Sequence, residues 1–360
     1  MPQAAGLATS RGEASADAGA SRAVRAWLIA VAALIFVMVL VGGATRLTES
    51  GLSITQWQPV TGVIPPFGQA AWVEEFQRYK QIPQYAALNA DMSLDGFKTI
   101  YYWEWSHRLL ARLIGAAFVL PALWFWRRGR FRGPLGRQVA VATGLLALEP
   151  IVGWWMVSSG LAGRTEVAQE RLALHLLIAA AAFGALIYAA VGLAKRAREA
   201  AATGFVAPAG ALAALIFCQL GLGALVAGLR AGLVDNTWPL MEGSLIPAGL
   251  FGLAPWPRSI VDDATTAQFD HRVVAYAVVL LALGIAFAAR RRARGASLAR
   301  RAGALAALAF LQAAIGIVTL ILVAPIEFAL AHQAVALLLF GMAVAHWRAT
   351  AMESETEAAR

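Results

Sequence analysis

Eight long apolar runs separated by polar segments dominate this sequence. Each run, as a helix rising about 1.5 Å per residue, is long enough to cross a hydrocarbon core of roughly 30 Å. The pattern therefore predicts an all-α integral membrane protein with eight transmembrane helices. The runs lie near residues 26–43, 106–126, 138–158, 172–194, 208–228, 271–289, 302–324 and 328–347.

The polar segments between the runs fall into two kinds by charge. The loops after the second, fourth and sixth runs are rich in arginine, whereas the alternate loops are longer and close to neutral or acidic. Because cytoplasmic loops retain an excess of Lys and Arg, we expect both termini on the cytoplasmic side of a bacterial inner membrane. The basic loop residues are Arg127, Arg128, Arg130, Arg132, Arg137, Lys195, Arg196, Arg198, Arg290, Arg291, Arg292, Arg294, Arg300 and Arg301.

The overall composition also indicates lipid as the solvent of these runs. Hydrophobic residues make up 59% of the chain and charged residues 14%, whereas soluble domains carry about 25% charged residues. The formal net charge of +9 lies in short clusters between apolar runs, so it indicates topology and not a nucleic-acid-binding patch. The single cysteine, Cys218, excludes a disulfide framework and a thiolate metal cluster.

The chain repeats itself after four helices. Gly43–Leu47 after the first run resembles Ala227–Ala231 after the fifth, which would make Arg46 and Arg230 equivalent. Because an even number of helices separates the halves, they would relate by an axis along the membrane normal. We predict two pseudo-symmetric four-helix bundles. The expected domains are a disordered tail (1–21), the N-terminal half (22–198), a cytoplasmic linker (199–207), the C-terminal half (208–348) and a C-terminal tail (349–360).

Four of the five histidines occupy one repeated position, at the outer end of an even-numbered helix. His107 and His175 lie in the N-terminal half, and His271 and His332 are their counterparts in the C-terminal half. Two imidazoles on facing helices are what a haem iron needs as axial ligands. Zinc would require three or four ligands, usually at closer spacing. The alternative is four interfacial histidines satisfied by water; His346, which has no counterpart, is expected to be structural.

Four arginines lie close to these histidines in the sequence. Arg108 and Arg272 directly follow a histidine, and Arg46 and Arg230 mark the outer ends of the first and fifth helices. Guanidinium groups at these places could hold haem propionates as bidentate pairs. The alternative for each arginine is that it extends to the lipid headgroups.

Several of these residues stand in motifs that resemble the haem A synthase family. The motifs are Gly42–Ser53 (GGATRLTESGLS), Trp57–Gly62 (WQPVTG), the Glu104-x-x-His107-Arg108 sequence, and Gly153–Leu161 (GWWMVSSGL). The resemblance extends from about residue 22 to 348. The chain lacks the outer-loop cysteine pair of some members, so it is similar to the proteobacterial and mitochondrial type.

The resemblance implies an enzyme that oxidises the C8 methyl group of haem O to a formyl group, giving haem A for terminal oxidases. It also implies that the N-terminal half binds substrate haem O and that the C-terminal half binds a haem b cofactor. A haem O synthase and an electron-transfer partner are expected, and a homo-oligomer is compatible with the sequence. The implied substrate-binding residues are His107, His175, Arg108 and Arg46, and the implied cofactor-binding residues are His271, His332, Arg272 and Arg230.

The two halves differ in where they carry acids. Glu104 precedes His107 by three residues, and the equivalent position before His271 is Gln268; likewise Glu149 in the third run corresponds to Gln312 in the seventh. A carboxylate beside a haem edge could take protons or stabilise positive charge on the oxidised carbon. We therefore predict Glu104 as the catalytic residue, with a structural acid paired to an arginine as the alternative. Glu149 is expected to be a neutral, hydrogen-bonded acid, with a second candidate for the catalytic residue as the alternative.

Two other classes of protein compete with the enzyme. A dihaem electron-transfer protein would use the same histidines without chemistry on the porphyrin. Two haem sites on one side of the membrane disfavour this class, because a transmembrane wire needs sites at both depths. A transporter would carry polar residues near the midplane on broken helices, and only Glu149-Pro150 hints at that.

Overall fold

A computed structural model of the chain describes residues 3–194, 200–293 and 296–355, with side chains for residues 19, 21–194, 202–293 and 296–354. This part of the chain is helical and contains no β-strand. Short 3₁₀ turns lie at Thr61–Val63, Ala200–Phe205 and Ala231–Leu233. The α-helices are α1 (Gln3–Leu47), α2 (Gln69–Tyr79), α3 (Pro83–Leu88), α4 (Leu94–Arg127), α5 (Gly133–Gly160), α6 (Gln169–Gly192), α7 (Val206–Gly228), α8 (Arg258–Asp262), α9 (Ala264–Arg292), α10 (Ser297–Ile321) and α11 (Ile326–Glu355).

Eight of these helices are long and apolar enough to cross a membrane: α1, α4, α5, α6, α7, α9, α10 and α11. Their mean hydropathy over the most apolar stretch runs from 1.5 to 2.7. The prediction of an all-α membrane protein with eight spanning helices is therefore confirmed. Both α4 and α9 begin with a side-chain cap, in which Ser93 accepts from the Gly96 N–H and Asp263 from the Thr266 N–H.

The helix ends differ from the predicted domain boundaries. α1 is helical from Gln3, through most of the segment predicted as a disordered tail, and alanine, frequent in this segment, has the highest helix propensity. The predicted linker 199–207 contains a 3₁₀ turn and the start of α7, and residue 199 lies outside the described residues. α11 continues past the predicted boundary at residue 349 as far as Glu355, because Ala349, Thr350 and Glu353 are buried.

α6 and α11 meet through a reciprocal contact at the centre of the protein. A Cβ added at Gly184 on α6 would lie 3.0 Å from the Phe340 ring, and one added at Gly341 on α11 would lie 2.7 Å from the Phe183 ring. The two glycines are 157 residues apart, and so are the two phenylalanines, which is the offset between His175 and His332. Glycine lets the two helices approach closely, as small residues do at membrane helix interfaces. The matching contacts fit an internal repeat.

The two halves of the chain differ in how their helices close. In the C-terminal half, α7 packs against α9, α9 against α10, α10 against α11 and α11 against α7, so the four helices form a closed ring. In the N-terminal half, α4 packs against α1, α1 against α6 and α6 against α5. The contact between α4 and α5, however, is at most marginal, so this second ring is open on one side.

The long loops all lie on one side of the protein, which we call the histidine side because the four repeated histidines lie near it. These loops are residues 48–93, 161–168 and 229–263. The first contains an aromatic cluster that packs α2 on the start of α4; Phe97 stacks on Phe76 at 4.9 Å and on Tyr79 at 5.4 Å between ring centroids. Burial raises the pKa of Tyr79 to about 12, so its hydroxyl stays neutral while it accepts a hydrogen bond from Asn89.

Candidate functional site

Each of the four repeated histidines packs against a glycine of a neighbouring helix. A Cβ added at Gly42 would lie 3.1 Å from His107 Nε2, and one added at Gly153 would lie 3.0 Å from His175 Cε1. Both distances are tighter than ordinary van der Waals contact, so a larger residue would displace the imidazole. The same relation holds in the other half, between Gly223 and His271 at 3.1 Å and between Gly316 and His332 at 2.6 Å.

The C-terminal histidines face each other at a separation that suits one metal ion. The ring centroids of His271 and His332 are 6.4 Å apart, and the ring planes cross at 73°. A metal–imidazole bond is about 2 Å long and the ring centre lies about 1 Å beyond the ligating nitrogen, so two axial imidazoles have centres about 6 Å apart. This pair therefore fits the axial ligands of a haem iron. His107 and His175 are likewise close enough to interact electrostatically.

A polar side chain approaches a ring nitrogen in three of the four histidines. Glu149 Oε2 lies 2.7 Å from His175 Nδ1, at hydrogen-bonding distance but without the alignment of an N–H donor. In the C-terminal half, the amide nitrogens of Gln312 and Gln219 lie 3.0 Å from the Nδ1 atoms of His332 and His271. A carboxylate in such a position fixes the ring orientation of a metal-binding histidine. Only the N-terminal half places a carboxylate there.

Glu104 lies in a buried network that satisfies both of its carboxylate oxygens. Arg108 donates to Oε1 through Nη2 at 2.6 Å and Nε at 3.1 Å. The Ser53 hydroxyl and the Ile54 N–H donate to Oε2 at 2.8 and 2.7 Å. Four donor groups therefore surround the carboxylate of an acid that is only 3% exposed. The prediction of an acid one helical turn from His107 agrees with this geometry, and so does the alternative of an acid paired to an arginine.

Gln268 fills the equivalent place in the C-terminal half with the opposite polarity. Its Nε2 donates to the carbonyls of Ala231 and Asp235 at 2.9 and 3.0 Å, and Arg272 donates to its Oε1 at 3.3 Å. The loop after α1 therefore offers donors to Glu104, whereas the loop after α7 offers acceptors to Gln268. An acid at position 268 would face two carbonyl oxygens.

Arg108 and Arg272, predicted to hold propionates, bind loop backbone in this structure. Arg108 donates to the carbonyls of Ile54 and Gln56 at 2.8 and 2.9 Å, and Arg272 to those of Asp235 and Leu240 at 3.3 and 3.4 Å. Each arginine thus fastens the loop that covers its histidine. A role toward a haem propionate stays a prediction.

Arg112 was not singled out by the sequence analysis, although it extends the same arrangement by one helical turn. Its Nη2 donates to the Gln58 carbonyl at 2.7 Å and its Nε to the Pro59 carbonyl at 2.9 Å. The equivalent residue in the C-terminal half is Tyr276, which accepts from Trp238 Nε1 at 3.0 Å. The spacing of Arg112 four residues after Arg108 on α4 was the available signal.

Arg46 and Arg230 lie together at the boundary between the halves. Arg46 donates to the Ala227 carbonyl and pairs with Glu166 at 3.4 Å. Arg230 pairs with Glu49 at 2.6 Å and also with Glu166. The hydrogen bond with Glu49 raises the pKa of Arg230 above its usual value. These arginines therefore join the two halves through carboxylates, and their predicted contact with propionates stays untested.

The structure also corrects the register of the internal repeat. Gly42 and Gly223 contact equivalent histidines, and Ile54 and Asp235 contact the equivalent residues Glu104 and Gln268. Both pairs are offset by 181 residues. The expected equivalence of Arg46 and Arg230, which needs an offset of 184, is therefore wrong: the sequence similarity of two short arginine-containing segments misaligned the helices by about one turn.

His346, expected to be structural, is buried on α11 far from the histidine side. It is 2% exposed, and neither ring nitrogen has a hydrogen-bond partner. Within the described residues, no three His, Cys, Asp or Glu side chains cluster in a way that could hold a metal ion by themselves. The structure therefore offers paired imidazoles, and not a protein-only metal centre, as its candidate site.

The described chain is thus a polytopic membrane protein with eight spanning helices, and in each half two histidines pack against glycines of neighbouring helices. Residues 25–344 match the family described as cytochrome oxidase assembly protein, and the chain belongs to that family. It is 51% identical to the haem A synthase of Mesorhizobium japonicum, over 91% of this chain and 90% of the relative. It is 54% identical to that of Rhodopseudomonas palustris, over 92% and 91%. The family predicted from the sequence motifs is confirmed.

Proposed function

We propose that this protein is a haem A synthase, which oxidises the C8 methyl group of haem O to a formyl group. The observation that carries the proposal is the identity of about half of all residues to proteins of that name over nine-tenths of both chains. All four repeated histidines and Glu104 lie inside the matched region. Converting a methyl group and water to a formyl group releases electrons and protons, so the site needs an electron acceptor and a proton acceptor.

His107 and His175 are proposed to bind the iron of substrate haem O. They lie on two different helices, α4 and α6, each held by a glycine of a neighbouring helix. Fixing both faces of the substrate would hold the methyl group in one position relative to the protein, which is the main requirement for a positioned reaction.

Glu104 is proposed to stabilise positive charge that develops on the oxidised carbon. Its four hydrogen-bond donors hold it as a fixed negative charge, and a preorganised charge of this kind acts without reorganisation during the reaction. Glu149 is proposed as the proton acceptor, because its Oε1 is buried without a hydrogen-bond partner while its Oε2 contacts His175.

His271 and His332 are proposed to bind a haem b cofactor, whose iron would supply one-electron redox chemistry. Their 6.4 Å centroid separation supports axial ligation, and the side chains that approach their ring nitrogens are the neutral amides of Gln219 and Gln312. This surrounding suits a haem that stays bound and changes charge by one electron.

The membrane arrangement is proposed from the charge of the loops. Two pseudo-symmetric four-helix bundles would lie side by side in the bacterial inner membrane, with both termini and the arginine-rich loops in the cytoplasm. The histidine side would then face outward. A haem O synthase would supply the substrate, an electron-transfer partner would accept the electrons, and a homo-oligomer fits the same arrangement.

Co-expression with a haem O synthase, followed by chromatography of the extracted haems, tests the function. Haem A, or an oxidised intermediate between haem O and haem A, is the expected product. Its absence from cells that accumulate haem O, with haem b as the only haem on the purified protein, would favour the dihaem electron-transfer alternative. A His107→Ala variant is the matched control, because it should abolish the product while the protein still inserts.

A further inference from the structure

The open side of the N-terminal half continues its histidine site. α4 and α5 are joined by the short segment 128–132, yet they make at most marginal contact, whereas the equivalent helices α9 and α10 pack against each other. The two helices therefore leave a gap between them along their lengths, which we call the slot. His107 lies on α4 toward the end away from the joining segment, so the slot extends past this histidine.

Side-chain exposure on α4 and α9 marks the same difference. Ala111 and Gly115 are exposed, whereas their counterparts Ala275 and Val279 are partly buried, and Val279 packs against the hydrophobic core. A Cβ added at Gly115 would meet no atom within 4 Å. Ala111 and Gly115 follow His107 at spacings of four and eight residues, so all three lie on neighbouring parts of one helix face. The slot thus runs from the imidazole toward the membrane interior.

We propose that this slot binds the isoprenoid chain of haem O. This inference rests on the proposed function. Haem O carries a hydroxyethylfarnesyl chain that haem b lacks, and only the half proposed to bind haem O is open. Gly115 lies about 12 Å along the helix axis from His107, within reach of three isoprene units. The small side chains of Ala111 and Gly115 leave room for the chain, and van der Waals packing of the chain against the two helices favours binding.

The closed packing of the C-terminal half would favour haem b over haem O at that site. Val279 fills the position of Gly115, and the packing of α10 on α9 leaves no equivalent opening. A haem with a farnesyl chain would have to separate these helices to enter. The proposal therefore assigns the sorting of the two haems to the contact, or lack of contact, between the second and third spanning helices of each half.

Filling the slot tests the proposal. Purified protein that retains its C-terminal haem is titrated with haem O and, separately, with haem b, and the Soret absorbance reports binding to the N-terminal half. Gly115→Phe should weaken haem O binding about tenfold or more and change haem b binding less than about threefold. Gly115→Val, which copies Val279, should give a smaller effect in the same direction and covers the case in which the larger residue disturbs folding.

Gly284 on α9 provides the matched control. It is also an exposed helical glycine with no atom within 4 Å of an added Cβ, but it lies in the closed half. Gly284→Phe should leave both titrations within about threefold of the unchanged protein. Equal loss of haem O and haem b binding in the Gly115 variants, no loss of either, or the same loss in Gly284→Phe would overturn the proposal.

The unchanged protein separates this inference from the proposed function. If it binds haem O no more tightly than haem b, the slot does not hold the chain, although the protein could still act on haem O. If the unchanged protein binds haem b at the N-terminal half and does not bind haem O, the proposed substrate is wrong. The proposed role of the slot is then wrong as well.

Discussion

The N-terminal and C-terminal halves share one plan and differ in charge. Both hold two histidines against glycines, and both fasten a loop with the arginine that follows the first histidine. The N-terminal half places Glu104 and Glu149 beside its histidines, where the C-terminal half has Gln268 and Gln312. The two halves thus share the placement of their histidines, and only the N-terminal half carries acids at these two positions.

The comparison also shows how each half accommodates its polar residue. The amide of Gln268 donates to two loop carbonyls, and the carboxylate of Glu104 accepts from a loop N–H and a hydroxyl. Exchanging acid and amide is therefore not a neutral change in either half. The loops have diverged together with the residues they contact, so each substitution has a matched partner in the other half.

The largest effect should come from removing a ligand of the C-terminal half. His332→Ala should lose most of the proposed haem b of the purified protein, because the proposed axial ligand and the ring that fills the space beside Gly316 disappear together. The measurement is the Soret absorbance per mole of protein. His175→Ala is the matched variant and should retain haem b. Full haem b occupancy in His332→Ala would refute the assignment of this half as the cofactor site.

The next effect concerns the acid of the N-terminal half. Glu104→Gln should reduce haem A formation by roughly 10²-fold or more while haem b stays bound, because the fixed negative charge is lost and the ligands of the other half are untouched. Chromatography of extracted haems should show haem O, or a hydroxylated intermediate, in place of haem A. Near-normal haem A would leave Glu104 as a structural anchor for Arg108 and the loop at Ser53.

The sequence predicted the helices and the histidines because both depend on local patterns. Apolar runs and loop charge specify eight spans without any knowledge of packing, and duplication marks His107, His175, His271 and His332. Glu104 emerged from the same comparison of repeats. These features can be recognised in a single sequence because spacing along one helix already determines which residues share a face.

The partners of the arginines could not be predicted, because they depend on how the loops fold. Arg108 contacts carbonyls more than 50 residues away, and Arg46 contacts Ala227 across the boundary between the halves. No periodicity in the sequence encodes such contacts. The error in the repeat register has the same origin: two arginines at helix ends look equivalent until the glycine–histidine contacts fix the alignment.

A moderate effect should follow from exchanging acid and amide at the residue that contacts the second histidine of each half, Gln312 or Glu149. Gln312→Glu should lower the reduction potential of the bound haem b by tens of millivolts, because a carboxylate beside His332 favours the more positively charged oxidised iron. Spectroelectrochemical titration measures it directly. Glu149→Gln is the matched variant and should leave that potential unchanged. An unchanged potential in Gln312→Glu would show that this residue does not influence the ligand.

The smallest effect should come from the ion cluster that joins the halves. Glu166 pairs with both Arg46 and Arg230, but its side chain is 30% exposed and that of Arg230 is 42% exposed. Ion pairs with this much solvent access contribute at most about 1 kcal/mol, and less at high salt. Glu166→Gln should therefore lower the melting temperature by only a few degrees, about 2–4 °C for a domain of this order of size.

Haem b content of the Glu166→Gln variant should stay unchanged, because the cluster does not contact the histidines of the C-terminal half in this structure. Glu74→Gln is the matched control, since Glu74 pairs with Arg78 inside a single helix and should shift the melting temperature less. Loss of haem from Glu166→Gln would instead show that this cluster holds the halves in the arrangement on which the haem sites depend.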